Sequence, residues 1–476
     1  MDPKRSRLDH YLEWASALIL LGCAVLALCF AVKTARLPMQ FDFGEGDILN
    51  AGLRITQGLT PYPDPHGWPS ILNPYGPIPY LLTALLVKWF GVSFFAPRLV
   101  SVLCGAAIAF LIGAIIRRLG GSWAIGILLG CVFLSLSSIR NWMLTCRVDW
   151  LAVALTLGGL AAFIFWERRW YVAALLFSAA LLVKYSVVAA PLACGLVLIN
   201  RREWKLFFRL AGGSVGICLV AFFLTQRWSD GNFAFHEFRT HPDPYSWTQT
   251  FEFMGRRLKD MPIVFGIAVA HAGAEAWRKR LTLPSLYFLA ATACALTVGK
   301  AGATSNHLIE WTAAACIGAG CGWRPVAQWL AEKRWKIAGY AALTGVFAMA
   351  VLAVALYRLP FEERTMCAPT YNFLRKHGDN VLTDSVGALL LTGKPVLVSD
   401  LFIYTQLVTR SGWSDAPVRD RVARKEFDVI LLRERIGVYR PNDRFTVETL
   451  RAMGQNYHEA EAFECYDSGY AYLPNP

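Results

Sequence analysis

Charge is the scarcest ingredient of this chain. Only 17% of its 476 residues are Asp, Glu, Lys or Arg, against 55% hydrophobic, and the mean hydropathy is +0.39. A soluble domain of this length needs more charge at its surface, so the composition excludes a single water-exposed globule and points to a polytopic membrane protein. No Cys-x-x-Cys occurs among the 12 cysteines, which removes zinc ribbons and thioredoxin-like redox motifs. Internal repeats are missing, so solenoids are excluded, as are low-complexity segments that would make long disordered linkers.

What is present is a series of apolar runs long enough to cross about 30 Å of hydrocarbon. The basic start MDPKRSRLDH leads into the run Tyr11 to Val32. That run is longer than a signal-peptide core and has no small-residue cleavage site, so it reads as a retained first span. About eleven spans follow from the pattern: 12–34, 96–116, 122–139, 149–166, 170–184, 186–200, 207–225, 262–277, 283–299, 306–322 and 336–357. The net charge of +13 lies mainly in short loops, at Arg117-Arg118, Arg168-Arg169, Arg201-Arg202, Arg278-Lys279-Arg280 and Lys333-Arg334. With the N-terminus cytoplasmic, all of these fall inside, as the positive-inside rule requires. The charge therefore marks topology and no nucleic-acid partner; the C-terminus is expected outside. Lys33 and Arg36, on the outer side, have stems long enough to snorkel.

The apolar stretch Pro77–Phe90 is about 21 Å long as a helix, too short to span. Its Tyr80, Lys88 and Trp89 suit an interfacial helix. Residues 36–95 then form a first outer loop and 226–261 a second. Residues 1–357 are the membrane domain. From 358 to 476 charge rises, and strand-like segments (380–383, 395–398, 428–432) alternate with helical ones (370–377, 418–425, 447–453), as in a small extracytoplasmic α/β domain. Most cysteines lie in apolar runs and behave as small hydrophobes. Cys367 and Cys465 lie in this tail, where a disulfide is one option.

Chemistry-bearing residues concentrate on the predicted outer face. QFDFGEGDILN carries Asp42, Glu45 and Asp47 at the start of a short amphipathic helix, where acids also favour the positive end of the helix dipole. The segment TPYPDPHGWPSILNPYGPIPY, with Tyr62, Asn73 and Tyr75, is too rich in Pro for a helix and reads as a rigid loop packed on the membrane domain. Arg147 and Asp149 open the fourth span, Lys184 and Tyr185 interrupt the pair 170–200, and Lys300, Asn306, His307 and Glu310 surround the start of the tenth. Ionisable groups at membrane depth are costly and mark functional sites. In the second loop, His236, Glu237 and His241 lack the helical spacing of a metal motif.

The stretches FGEGDILNAGLRITQGLTPYPDP, NPYGPIPYLLTALLVKWFG, APRLVSVLCGAAIAFLIGAIIRRLGG, CRVDWLAVALTLGGLAAF and LLVKYSVVAAPLA, in that order, resemble GT-C superfamily glycosyltransferases. They are most similar to the bacterial group related to protein O-mannosyltransferases and lipid A aminoarabinose transferases. The resemblance covers roughly residues 10–325. It implies an integral inner-membrane enzyme with a periplasmic site, moving a sugar from a polyprenyl-phosphate donor to a lipid, glycan or protein acceptor with inversion at the anomeric carbon. It implies an acid base in the first outer loop, often the Asp of an Asp-Glu pair. Here that pair reads Gly44-Glu45, so Glu45 is the first candidate, followed by Asp47 and Asp42. Lys184, Arg147, Lys300 and His307 are the candidates for binding the donor phosphate. Tyr62, Tyr75, Asn73, Asn306, Glu310 and His236 are candidates for substrate contacts. No ligand set demands a metal, although a divalent cation serves some members of the group. Two other functions fit a polytopic protein: a lipid-linked sugar flippase, expected to show inverted repeats and midplane charges, and a non-catalytic scaffold of a glycan-assembly complex.

Overall fold

The computed structural model describes residues 3–240, 244–332, 367–440, 442–465 and 469–476, with positions 339, 341, 344 and 345. The apolar runs become helices: α1 (Pro3–Ala35), α2 (Phe43–Thr56), α3 (Pro77–Phe90), α4 (Phe95–Arg118), α5 (Trp123–Ser135), α6 (Ser137–Met143), α7 (Val148–Phe165) and α8 (Trp170–Val183). They continue as α9 (Ala189–Asn200), α10 (Trp204–Trp228), α11 (Phe233–Phe238), α12 (Trp247–Asp260), α13 (Pro262–Trp277), α14 (Leu283–Ala295), α15 (Ile309–Cys321) and α16 (Trp323–Glu332). Among the described residues, four are long and apolar enough to cross a membrane alone: α1 from His10, α4, α7 and α10. The span expected at 336–357 falls outside the described residues.

The segment expected as one span at 122–139 is broken. α5 and α6 meet at 74°, because Leu136 takes an extended conformation (φ −63°, ψ 128°) that interrupts the helical ladder. The bend sends Trp142 toward the rim of the cavity described below. A second break, at Lys184 (φ −152°, ψ 112°), ends α8.

α2 starts with a reciprocal capping box. Asp42 accepts from the helix start while the Glu45 side chain accepts from the Asp42 backbone N–H, satisfying donors that the helix leaves unpaired. Its inner face, including Ile48, Leu49 and Ala51, is buried.

The C-terminal region has α17 (Ala368–Lys376), β1 (Val381–Thr383), α18 (Val386–Thr392), α19 (Leu401–Ser411), α20 (Ala416–Ala423), β2 (Val429–Leu432), α21 (Val447–Asn456), β3 (Tyr457–Ala462) and β4 (Tyr470–Pro474). The sheet order is β1-β2-β4-β3, with β1 parallel to β2 and the other pairs antiparallel. β1 and β2 are buried along their whole length. The strand expected at 395–398 does not join the sheet. Pro395 cannot donate to a ladder, and Val398 instead bridges to Ser70 in the first loop.

That bridge is one of several ties. Gly387 N–H donates to the Gln40 amide oxygen at 2.6 Å, and Leu72 N–H donates to Ser399 Oγ at 2.8 Å. Gly46 has no room for a side chain: a Cβ there would lie 2.6 Å from the Gly387 nitrogen. Leu37 and Met39 sit in the core of the C-terminal domain. The first loop is thus tied directly to the C-terminal region.

Cys367 and Cys465 form a disulfide across a separation of 98 residues. Closing so long a loop removes conformational freedom from the unfolded chain. A Cys367→Ser variant is expected to lose roughly 2–5 kcal/mol of stability in this domain. Thermal unfolding checks this, with peptide mapping of the unreduced protein for the link itself; an unchanged midpoint would contradict it.

Candidate active site

A cavity of about 690 Å³ opens between the first loop, the ends of α7 and α8, the segment 297–307 and the C-terminal domain. Among its lining residues are Asp42, Tyr75, Arg147, Lys184, Lys300, Asn306 and His307, with Trp142 at the rim. Sequence separation among these groups is large, yet they share one wall system.

Arg147 precedes α7 and its Nη1 lies 3.0 Å from Asp42 Oδ2. Asp149, the second residue of α7, accepts Lys184 Nζ at 2.6 Å on Oδ1 and Asn306 Nδ2 at 3.0 Å on Oδ2. Lys184 Nζ also lies 3.4 Å from His307 Nε2. A lysine ammonium can only donate, so Nε2 accepts, and the other ring nitrogen carries the proton toward Thr297 Oγ1 at 3.2 Å. The result is a buried polar lattice that holds two cations, Arg147 and Lys184, at the mouth of the cavity. Arg147 Nε is buried without a hydrogen-bond partner and lies 4.0 Å from Asp149 Oδ2.

Glu45, the acid ranked first from the sequence, does not reach the cavity. It is fully buried, and Arg98 grips both its oxygens, at 2.7 Å through Nε and 2.8 Å through Nη2. The Phe41 and Cys146 amides donate to the same carboxylate at 2.6 and 2.7 Å. Arg98 in turn donates to the carbonyls of Leu37 and Met39 and lies over the Phe41 ring at 4.0 Å. Glu45 therefore pins the backbone immediately before Asp42 and immediately before Arg147, the two residues that form the ion pair. Arg98 carries a sequence signal of its own, as an ionisable side chain near the start of an apolar run.

Asp47 is also withdrawn. It is buried and its Oδ1 accepts from the Asp400 N–H at 3.2 Å. Burial holds its carboxyl well above the usual carboxylate range, and the neighbouring Asp400 charge pushes the same way. Asp42 alone of the three acids faces the cavity. A Cβ built on Gly44 would lie 2.0 Å from Arg147 Nη1 and 3.4 Å from Asp42 Oδ2, so the Asp42 carboxylate occupies the neighbourhood where a residue-44 acid would project.

Of the expected substrate contacts, Tyr75 and Asn306 line the cavity. Tyr62, Asn73 and His236 do not; they are fully buried and staple the first loop to the second. Tyr62 O–H donates to the Tyr75 carbonyl at 2.8 Å, and Asn73 Nδ2 donates to the Pro61 carbonyl. The Asn73 N–H donates to His236 Nδ1 at 3.2 Å, so His236 Nε2 carries the proton and donates to the Pro63 carbonyl at 2.8 Å. Burial lowers the His236 pKa to about 4, in keeping with this neutral tautomer. Its neighbour Glu237 is pushed up to about 8 by burial. With both ring nitrogens engaged, His236 offers no metal ligand; His241 lies outside the described residues. Glu310 lines a small niche beneath the cavity, where it accepts from Tyr287 O–H at 3.4 Å. Among the described residues, no three His, Cys, Asp or Glu side chains converge as a metal-ligand set.

The C-terminal domain adds residues that no local sequence pattern marks. Asp400, Phe402, Ile403, Asp443 and Arg444 form part of the cavity wall, and the Arg444 guanidinium stacks on the Phe43 ring at 3.2 Å.

No protein-family model matches this chain, and no curated protein sequence does. The fold does have solved counterparts. The structure of ArnT from Cupriavidus metallidurans bound to undecaprenyl phosphate superposes with a TM-score of 0.65 at 12% identity, covering 96% of this chain and 99% of that one; its apo state matches equally well. The oligosaccharyltransferase AglB from Archaeoglobus fulgidus, in complex with an inhibitory peptide and a dolichol-phosphate, matches with a TM-score of 0.54 at 11% identity, over 87% of this chain and 69% of that one. The fold of this chain is thus the fold of these two solved proteins.

Proposed function

We propose that this protein is an inverting glycosyltransferase that moves a sugar from a polyprenyl-phosphate donor to an acceptor hydroxyl on the outer face of the membrane. The observation that carries this reading is the shared cavity lined by Asp42, ion-paired to Arg147, and by Lys184, ion-paired to Asp149. Asp42 takes the acceptor proton as its oxygen attacks the anomeric carbon from the side opposite the phosphate. The bond between that carbon and the phosphate oxygen breaks, and the polyprenyl phosphate leaves with its charge. Arg147 and Lys184, with Lys300 on the same cavity wall, stabilise that charge, and His307 orients Lys184 by accepting from it. Side chains supply positive charge at this step. Tyr75 and Asn306 contact the substrates. We place the N-terminus in the cytoplasm, about eleven spans in the inner membrane, and the C-terminal domain in the periplasm; the disulfide favours that oxidising side.

Mass spectrometry of lipids copurifying with the protein tests the reading. Wild-type protein should release free polyprenyl phosphate, whereas an inactive Asp42→Asn variant should retain the glycosylated form. Translocation of an intact lipid-linked sugar in vesicles, without cleavage, would instead support a flippase. A scaffold would retain cell function when Asp42 is neutralised.

The cation lattice gives a separate prediction. Lys184→Met is expected to lower kcat by about 10²-fold, as loss of one donor to a developing oxyanion does. Steady-state kinetics check this, and an unchanged kcat would remove Lys184 from the phosphate site.

A further inference from the structure

A second large opening lies at the other end of the membrane domain. It is a groove of about 720 Å³ between the C-terminal ends of α4 and α7, the start of α5 and the flank of α8. Arg147 and Trp166 bracket the 18 residues of α7, so the groove mouth lies about 27 Å from the reaction cavity. The two openings share no lining residue.

Small residues create the space. Gly158 and Ala162 on α7 leave a channel that larger side chains would close, and the remaining wall is apolar apart from Arg117 and Arg118. Both arginines are solvent-exposed, and Arg118 makes no side-chain hydrogen bond or ion pair among the described residues. Trp123 and Trp166 flank the opening at 42% and 54% exposure, the residue type enriched at the level of lipid headgroups. An apolar channel of this size within the membrane, with two cations and two indoles at its mouth, is complementary to an acyl chain carrying a negative headgroup.

We propose that this groove is a specific site for one anionic glycerophospholipid of the leaflet opposite the reaction cavity. The acyl chain lies along Gly158 and Ala162, and Arg117 and Arg118 hold the headgroup phosphate. This inference is independent of the proposed chemistry, since it involves none of the same side chains.

Native mass spectrometry on full-length protein from bilayer nanodiscs of equal phosphatidylglycerol and phosphatidylcholine provides the test. Wild-type protein should retain one phosphatidylglycerol through delipidation in preference to phosphatidylcholine. At roughly fivefold per arginine, Arg117→Gln/Arg118→Gln should weaken that retention about 25-fold. Gly158→Leu should abolish it by filling the channel. This second variant is compatible with folding, because a Cβ at Gly158 meets only Leu176 Cδ1, at 3.7 Å, and leucine is a better helix former than glycine. Equal retention of the two lipids by wild-type protein, or phosphatidylglycerol retention unchanged in both variants, would overturn the proposal. Occupation by another segment of this chain would appear as the first of these results.

Discussion

An Asp42→Asn protein is expected to fold normally and to lose about 10²–10⁴-fold in transfer rate, the range that a positioned general base contributes. The substitution is selective because the two roles of Asp42 separate. As the first residue before α2, its side chain accepts from the Gly44 N–H at 3.1 Å, and an Asn oxygen caps a helix about as well. Oδ2 holds both the Gly44 N–H and Arg147 Nη1, so the component lost is the carboxylate's charge and the basicity of its other oxygen. Thermal unfolding should therefore match wild type while sugar transfer fails. Full activity in this variant would eliminate Asp42 as the base and with it the proposed mechanism.

Glu45→Gln is expected to do the opposite and damage the fold first. Glu45 and Arg98 form a bidentate pair with no exposure on either side chain. Removing one member of such a pair leaves the other charged and buried, at a cost of about 3–5 kcal/mol. The damage extends further here, because the Phe41, Asp42 and Cys146 amides all donate to the same carboxylate. Arg98→Met should cost a similar amount. The double variant Glu45→Met/Arg98→Met should be less destabilised than the sum of the single changes, since it leaves no unpaired charge. Unfolding midpoints of the four proteins decide the matter. If Glu45→Gln were as stable as wild type yet inactive, Glu45 and not Asp42 would be the base.

The contrast between these two acids shows what could and could not be read in advance. Both are visible in QFDFGEGDILN, and the helix they begin was legible from its amphipathic spacing. Which one faces the substrate depends on Arg98, 53 residues away from Glu45, and no local pattern records that pairing. The groups that open spans were more legible. Arg147, Lys184, Lys300, Asn306 and His307 could be selected because ionisable and polar groups at membrane depth have few reasons to be there, and the structure gathers all five in one cavity. Tyr62, Asn73 and His236 were selected from the same kind of composition but are consumed in holding loops together. Polar side chains buried for packing and those exposed for binding look alike until their partners are known.

Asp47 shows the longest reach: its partner Asp400 is 353 residues away in the C-terminal domain. Strand-like and helical segments foretold a small mixed domain there, but not that α19 would complete the cavity wall. Periodicity and hydropathy are local properties, so they were enough to mark the apolar helices and the mixed strand–helix character of the C-terminal region. The direction in which each carboxylate points is settled by desolvation and by partners brought close only on folding. QFDFGEGDILN already contained the acid that the site presents; burial against Arg98 and Asp400 withdrew the other two.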